Sequence, residues 1–188
     1  MLDLPAKFLC LRVTNFWYQI IKASYITTGS ARVSAWHAGR AEGDQILDRA
    51  DPGMLTLFIL QARSGDMYVI GGGFLLRRED RLPREAWNAQ GVRNGVPDYE
   101  EFLKRIREQG GQEDEPISRA LFNGVFIFSR REGLLIPGEF AQDFRRKRCF
   151  QLSENEPIGR YLMKVSLERR FPQLQQGRAE NDWPGIYL

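Results

Sequence analysis

Histidine is nearly missing from this chain. His37 is the only one in 188 residues, and Cys10 and Cys149 are the only cysteines. One imidazole cannot build a zinc site that needs several histidines, nor a metalloprotease motif that needs two. The same count removes a nuclease site of the HNH type, which sets a catalytic histidine beside further metal ligands. The two cysteines lack metal-ligand spacing and read as reduced core thiols of a cytoplasmic protein. No apolar run approaches the length of a membrane span. The segment Met1–Lys7 has no basic stretch ahead of an apolar core, so no secretory signal is expected. A nucleophile elbow, a phosphate-binding loop and a dinucleotide fingerprint are also missing.

The composition is that of a folded chain, with 43% hydrophobic and 12% aromatic residues. The length suits one well-buried domain, read here as residues 1–171, followed by a tail or linker over 172–188 that carries Trp183, Ile186 and Tyr187. The 27 basic residues exceed the 24 acidic ones by three. That mild excess permits nucleic-acid binding and leaves the decision to where the charge sits.

Loose alternation predicts a strand over Lys7–Val13, and Thr14 or Asn15 can cap a helix carrying Phe16, Trp17, Ile20 and Ile21. A second strand is expected over Arg32–His37, and a turn at Asp51-Pro52-Gly53. Met54–Ala62 and Met67–Arg78 read as a hairpin around Arg63–Asp66. Pro83 suits the first turn of a short helix that ends near Gly91. Asp98 with Glu101 makes a capping pair, and the stripe Tyr99, Phe102, Leu103, Ile106 continues the helix to Gly110. Leu121–Ser129 and Gly133–Ile136 read as strands, and Ser153-x-x-Glu156 opens a last helix with Ile158, Tyr161, Leu162 and Val165. Five or six strands interleaved with short helices, without a repeated strand-helix-strand unit, predict an α+β fold with a small curved or closed sheet.

Gly71, Gly72 and Gly73 interrupt an otherwise apolar strand. Glycine weakens a strand interior, so three together mark a bulge or a close approach to bare backbone. Trp17 and Trp36 are candidate stacking platforms for a base, with Asn15 and His37 beside them. The glycine backbone would then form the pocket floor. Trp87, on a short helix behind the sheet, reads as core. Glu79, Asp80 and Glu85 lie among Arg77, Arg78, Arg81 and Arg84, which makes a mutually paired, solvated face the expected arrangement. Arg145, Arg146, Lys147 and Arg148, extended by Arg77 and Arg78, are candidate phosphate contacts. Nothing in these patterns favours an enzyme, and no cofactor or metal is called for.

Several of these segments, in order, resemble the N-terminal domain of bacterial HNH-type restriction endonucleases, which is placed in the PUA-like group with the EVE, ASCH and SRA modified-base readers. They are Leu11–Tyr18, Val33–His37, Pro52–Phe58, Ile70–Phe74, Leu82-Pro83, Ala86-Trp87, Asn94-Gly95 and Glu156–Gly159. The resemblance implies a PUA-like, curved or partly closed β-barrel flanked by short helices. It also implies a DNA-binding module that reads a modified, flipped base in an aromatic pocket, in a restriction or phage-defence setting. Phe58–Gln61 lacks the basic residue the family often carries there. The nuclease half is absent from this sequence, so cleavage would need a further domain or a partner subunit. RNA binding, as in ASCH and PUA relatives, and a protein-interaction scaffold without a base pocket are the alternative expectations.

Overall fold

The computed structural model describes residues 7–28, 32–38, 44–129 and 132–170, so the tail at 172–188 lies outside the described residues. Alternating apolar residues build β1 (Lys7–Val13), whose Phe8 and Cys10 face one core while Leu9, Leu11 and Val13 face another. A strand buried on both faces reads as a near-continuous apolar run, as this one does. α1 (Asn15–Thr28) follows at once, capped by the Thr14 hydroxyl, which accepts the Trp17 N–H at 3.1 Å. Then come β2 (Val33–Ala38), α2 (Asp44–Asp48), β3 (Leu55–Gln61), β4 (Met67–Arg81), α3 (Pro83–Gln90) and a single 3₁₀ turn at Gly91–Asn94. α4 (Tyr99–Glu108) starts on Asp98, whose Oδ1 accepts the Glu101 N–H at 2.8 Å. β5 (Ile117–Ile127), β6 (Leu134–Leu135), α5 (Gly138–Arg146), β7 (Cys149–Ser153) and α6 (Pro157–Arg170) complete the described chain.

The fold is α+β, with seven strands in one mixed sheet of order β2-β5-β4-β3-β1-β7 and β6 paired to β4. β1 runs parallel to β3, and the other pairings are antiparallel. The expected five or six strands undercount the sheet because β7 is a short edge strand, and its basic approach reads in sequence as a solvated face. α2 and α5 were likewise not expected. One face of the sheet packs α5 and α6 through Phe144, Ile158, Leu162 and Met163. The other packs α1 through Trp17, Tyr18 and Ile21. A third cluster, with Phe102 and Ile106 at its centre, seats α3 and α4 against β2 and β5. Cys10 and Cys149 are free thiols on adjacent strands, buried in different core clusters.

The sheet is open, yet its two edges come within one side chain of each other. Arg148, which precedes β7, donates from Nη2 to the Trp36 carbonyl on β2 at 2.8 Å. At about 4.8 Å per strand, a flat sheet of six strands would hold its edges about 24 Å apart. The sheet therefore curls strongly. The bulges sit in its middle: the β3/β4 register shifts between Phe58 and Ile59, and β4/β5 shifts between Gly72 and Phe74 and again between Leu75 and Arg77. Bulges sharpen local twist and bend a strand, which is what such a curl needs. The glycines also fit tight passages. A Cβ on Gly72 would meet the Phe126 ring and the Thr56 carbonyl at 2.7 Å. Gly71 holds φ +151° against the Phe126 carbonyl.

β4 and β5 are joined beyond the bulges by a charge cluster. Arg119 is among the largest fully buried side chains, and its guanidinium is held by Glu79 and the Ala86 carbonyl. Arg77 and Arg81 reach the same carboxylate at 2.9 and 3.0 Å. The ion pairing expected from sequence at Glu79 is present, but in place of the expected solvated face the pair is largely buried, with the Arg119 side chain 1% and Glu79 16% exposed. Burial alone would raise the Glu79 carboxyl. The hydrogen bond from Arg119 and the charges of Arg119, Arg77 and Arg81 outweigh that and hold it below its ordinary value. A carboxyl lowered in this way stabilises the fold fully above its unfolded pKa. That stabilisation is lost as pH falls through the lowered, folded value. Glu79→Ala leaves Arg119 buried without its counter-charge and is expected to cost about 3 kcal/mol in denaturant unfolding at neutral pH. The loss should shrink as the pH is lowered into the acid range. A pH-independent loss would place the cost in packing.

Candidate functional site

The end of β1, the start of α1, β2, the 3₁₀ turn and α4 meet around a cavity of about 300 Å³. The aromatic wall comes from Phe16, Trp17 and Trp36, and the basic rim from Arg12, Arg105 and Arg148. His37 and Glu108 also line it. The positions of both tryptophans in the wall trace to Asn94 and its neighbour Gly95. Asn94 is fully buried, donates from Nδ2 to the Gly91 and Ala86 carbonyls at 2.9 and 3.2 Å and accepts the Ser34 hydroxyl at 2.6 Å. Its backbone carbonyl accepts the Trp36 indole N–H at 2.9 Å. Trp36 packs edge-on against Phe102 with centroids 4.7 Å apart. The Trp17 indole donates to the Ser34 carbonyl at 2.9 Å and meets Phe58 edge-on at 5.2 Å.

The next residue, Gly95, sits at φ +78° directly against Trp17, where a Cβ would lie 2.1 Å from the indole Cδ1. Only glycine fits both the left-handed backbone and the contact.

The guanidinium groups are pre-positioned. Arg148 binds the Trp36 carbonyl with its side chain and the Arg12 N–H with its own carbonyl, at 2.7 Å in the latter case. Arg12 in turn donates to the Arg145 carbonyl. Arg105 pairs with Glu101 at 2.7 Å and lies 4.2 Å over the Phe16 ring. Arg105 also meets Glu108 at 3.6 Å, so Arg12 and Arg148 carry the surplus positive charge of the lining, which suits an anionic or acceptor-rich guest. His37 Nδ1 lies 2.8 Å from the Ala38 carbonyl, and because a carbonyl can only accept, Nδ1 is the protonated nitrogen. Gln109 accepts the Ala38 N–H at 2.9 Å and ties α4 to this edge strand.

Of the residues singled out from sequence, Trp17, Trp36, His37 and Arg148 come together here. Trp17 is the more deeply buried tryptophan, at 7% exposure, and stands as wall and core at once, whereas Trp36 is half-buried. The glycine triplet corrects the expectation of a glycine floor. Gly71–Gly73 lie inside β4 and are covered by Phe126, Val125 and Thr56, because their small size serves the bulged crossing of strands. Asn15 lines a different cavity on the other flank of α1. Trp87 packs with Tyr99 and Phe102 behind the sheet.

The two basic clusters separate as well. Arg78 is held by Asp48 and Ser118, and Arg77 by Glu79, in a charged hollow with no lining residue in common with the aromatic cavity. Neither Arg77 nor Arg78 lines the aromatic cavity, and both are already held by acidic partners. Arg145 donates to the Gly65 carbonyl at 2.8 and 3.1 Å, while Arg146 and Lys147 are exposed. Sequence reading missed Arg12, Phe16 and Arg105. Arg12 carried a signal, as the single charge inside the apolar run Phe8–Val13.

Among the described residues no group of three or more His, Cys, Asp or Glu could hold a metal ion, and no helix is long and apolar enough to cross a membrane. No protein-family model matches the chain, and no curated protein matches it at a significant level.

Gly95→Ala is expected to destabilise the fold by at least about 2 kcal/mol and to perturb tryptophan fluorescence, because it combines backbone strain with a clash at Trp17. Gly53→Ala is the control: φ is +87° but the space around it is open, so about 1 kcal/mol and an unchanged spectrum are expected. Equal losses in urea titrations of the two variants would remove the Trp17 contact as the cause.

Proposed function

We propose that this chain is a PUA-like nucleic-acid-binding module that takes a flipped, modified DNA base into the cavity lined by Trp36 and Trp17. The observation that carries the reading is the cavity itself, in which aromatic walls and three held arginines converge. An extruded base brings a π-face for the indoles and an acceptor-bearing edge for the guanidinium groups. The exposed pair Arg146 and Lys147 lies two and one residues before Arg148, so the chain that lines the cavity also leads out to a basic surface suited to flanking phosphates. The strongly curled sheet, with Arg148 linking its edges, supports the PUA-like reading of the resemblance. Reading without cutting fits a restriction or phage-defence setting in the cytoplasm, with a nuclease domain or subunit supplying the cleavage.

The test compares duplexes carrying a modified, an unmodified and an abasic site, with matched RNA as competitor. Trp36→Ala is expected to cost about 1–3 kcal/mol of affinity for the modified duplex and to leave the abasic duplex unchanged. Because Trp36 also packs on Phe102, a denaturation curve must accompany the titration. Replacing Arg146 and Lys147 together by Ala should weaken all duplexes alike and flatten the slope of log K against log salt by about 2. Equal, weak, salt-limited binding to all three duplexes would overturn the base-reading proposal, and preference for the RNA would redirect it.

A further inference from the structure

A second hollow, about 560 Å³, lies on the opposite flank of α1, between its first turns and the β3–β4 hairpin. Its floor is apolar, formed by Leu60 and Ile70, and strand alternation sets Tyr68 beside Ile70 on the same face of β4. Asn15 and Gln19, whose amides share a hydrogen bond of 3.4 Å from Gln19 Nε2 to Asn15 Oδ1, stand beside the floor. Gln61 also lines the hollow, and Arg63 is the one charged residue among the described lining.

The state of these groups differs from that in the aromatic cavity. There each arginine is already engaged, whereas Arg63 makes no ion pair with another described residue. Gln61 is paired with Met67 in the strand ladder, while its side chain makes no hydrogen bond with a described residue. The frame around them is held. Arg145 clamps the Gly65 carbonyl, Ala62 donates to Asp66 at 2.8 Å, and Ser64 takes up the Asp66 carboxylate at 2.6 Å. Tyr18 is fixed by its hydroxyl on the Phe128 carbonyl.

Amides offer donors and acceptors side by side, which suits a planar ring whose edge carries both. A tyrosine ring offers a stacking face, and a guanidinium suits a phosphate. We propose that this hollow is a nucleotide site, taking a base against Tyr68 and the amides with its phosphate on Arg63. The site has no lining residue in common with the aromatic cavity, so it does not depend on the base-reading proposal. Its occupant is either a free nucleotide or a nucleotide of a bound strand, since Asn15 on one flank of α1 and Phe16 on the other are consecutive residues.

The full chain would be titrated calorimetrically with the four ribo- and deoxyribonucleoside monophosphates, inorganic phosphate and short single-stranded oligonucleotides. The variants are Gln61→Ala with Arg63→Ala, both exposed positions, and separately Trp36→Ala. The double variant is expected to weaken at least one monophosphate or the oligonucleotides about tenfold, with Trp36→Ala leaving the monophosphates unaffected. Loss confined to monophosphates assigns the free nucleotide, and loss confined to oligonucleotides assigns the strand. No effect of the double variant on any probe overturns the inference, as does a monophosphate lost only with Trp36→Ala or inorganic phosphate bound as tightly as the nucleotides. Base-dependent duplex binding that needs Trp36 alone would leave the earlier proposal standing while this one falls.

Discussion

The buried amide of Asn94 is the constraint on which the arrangement of this molecule depends. Its side chain is satisfied from three directions, by Ser34 on β2, Ala86 on α3 and Gly91 in the 3₁₀ turn, while its backbone receives the Trp36 indole. A buried polar group with every partner in place specifies one arrangement, because each alternative strands a donor or acceptor away from water. Here the specified quantity is the placement of two tryptophans. Trp36 hangs from the Asn94 carbonyl, and Trp17 rests on the backbone of Gly95. The aromatic wall is thus set by hydrogen bonds behind it and needs no guest to organise it.

α1 divides what the fold presents to solvent. On one flank lie indoles and engaged guanidinium groups, and on the other lie amides, phenol rings and Arg63, which makes no ion pair with another described residue. The division follows from helical spacing, since consecutive residues near the helix start point about 100° apart and so serve different cavities. Arg148 adds a constraint of another kind. Its bond to the Trp36 carbonyl makes the shape of the aromatic cavity inseparable from the curl of the sheet, because the same side chain bridges both.

Local signals were legible in the sequence and distant ones were not. The strand Lys7–Val13 and the Asp98 cap could be read because alternation and capping are settled within a few residues. β7 could not, since five residues at a sheet edge carry little periodicity and the preceding arginines look like a solvated face. The site was half legible. Trp36 and His37 stood out by residue type, but Arg105 reaches the cavity only through the packing of α4, which no spacing discloses. The glycine triplet misled for a physical reason. A strand crossing that must pass phenylalanine rings and a pocket that must admit a flat ring both require missing side chains, and sequence alone cannot tell which neighbour comes close.

The position of β1 bears on how the molecule is assembled on the ribosome. This strand emerges first among the described elements, yet its parallel partner β3 starts at Leu55 and its other neighbour, β7, starts only at Cys149. Until residues 149–153 have been synthesised, one side of Phe8-Leu9-Cys10-Leu11 offers a bare, apolar row of backbone donors and acceptors. Such an edge invites pairing with a second nascent chain. β1 therefore has two bare edges until β3 is made and one bare edge from then until β7 is made.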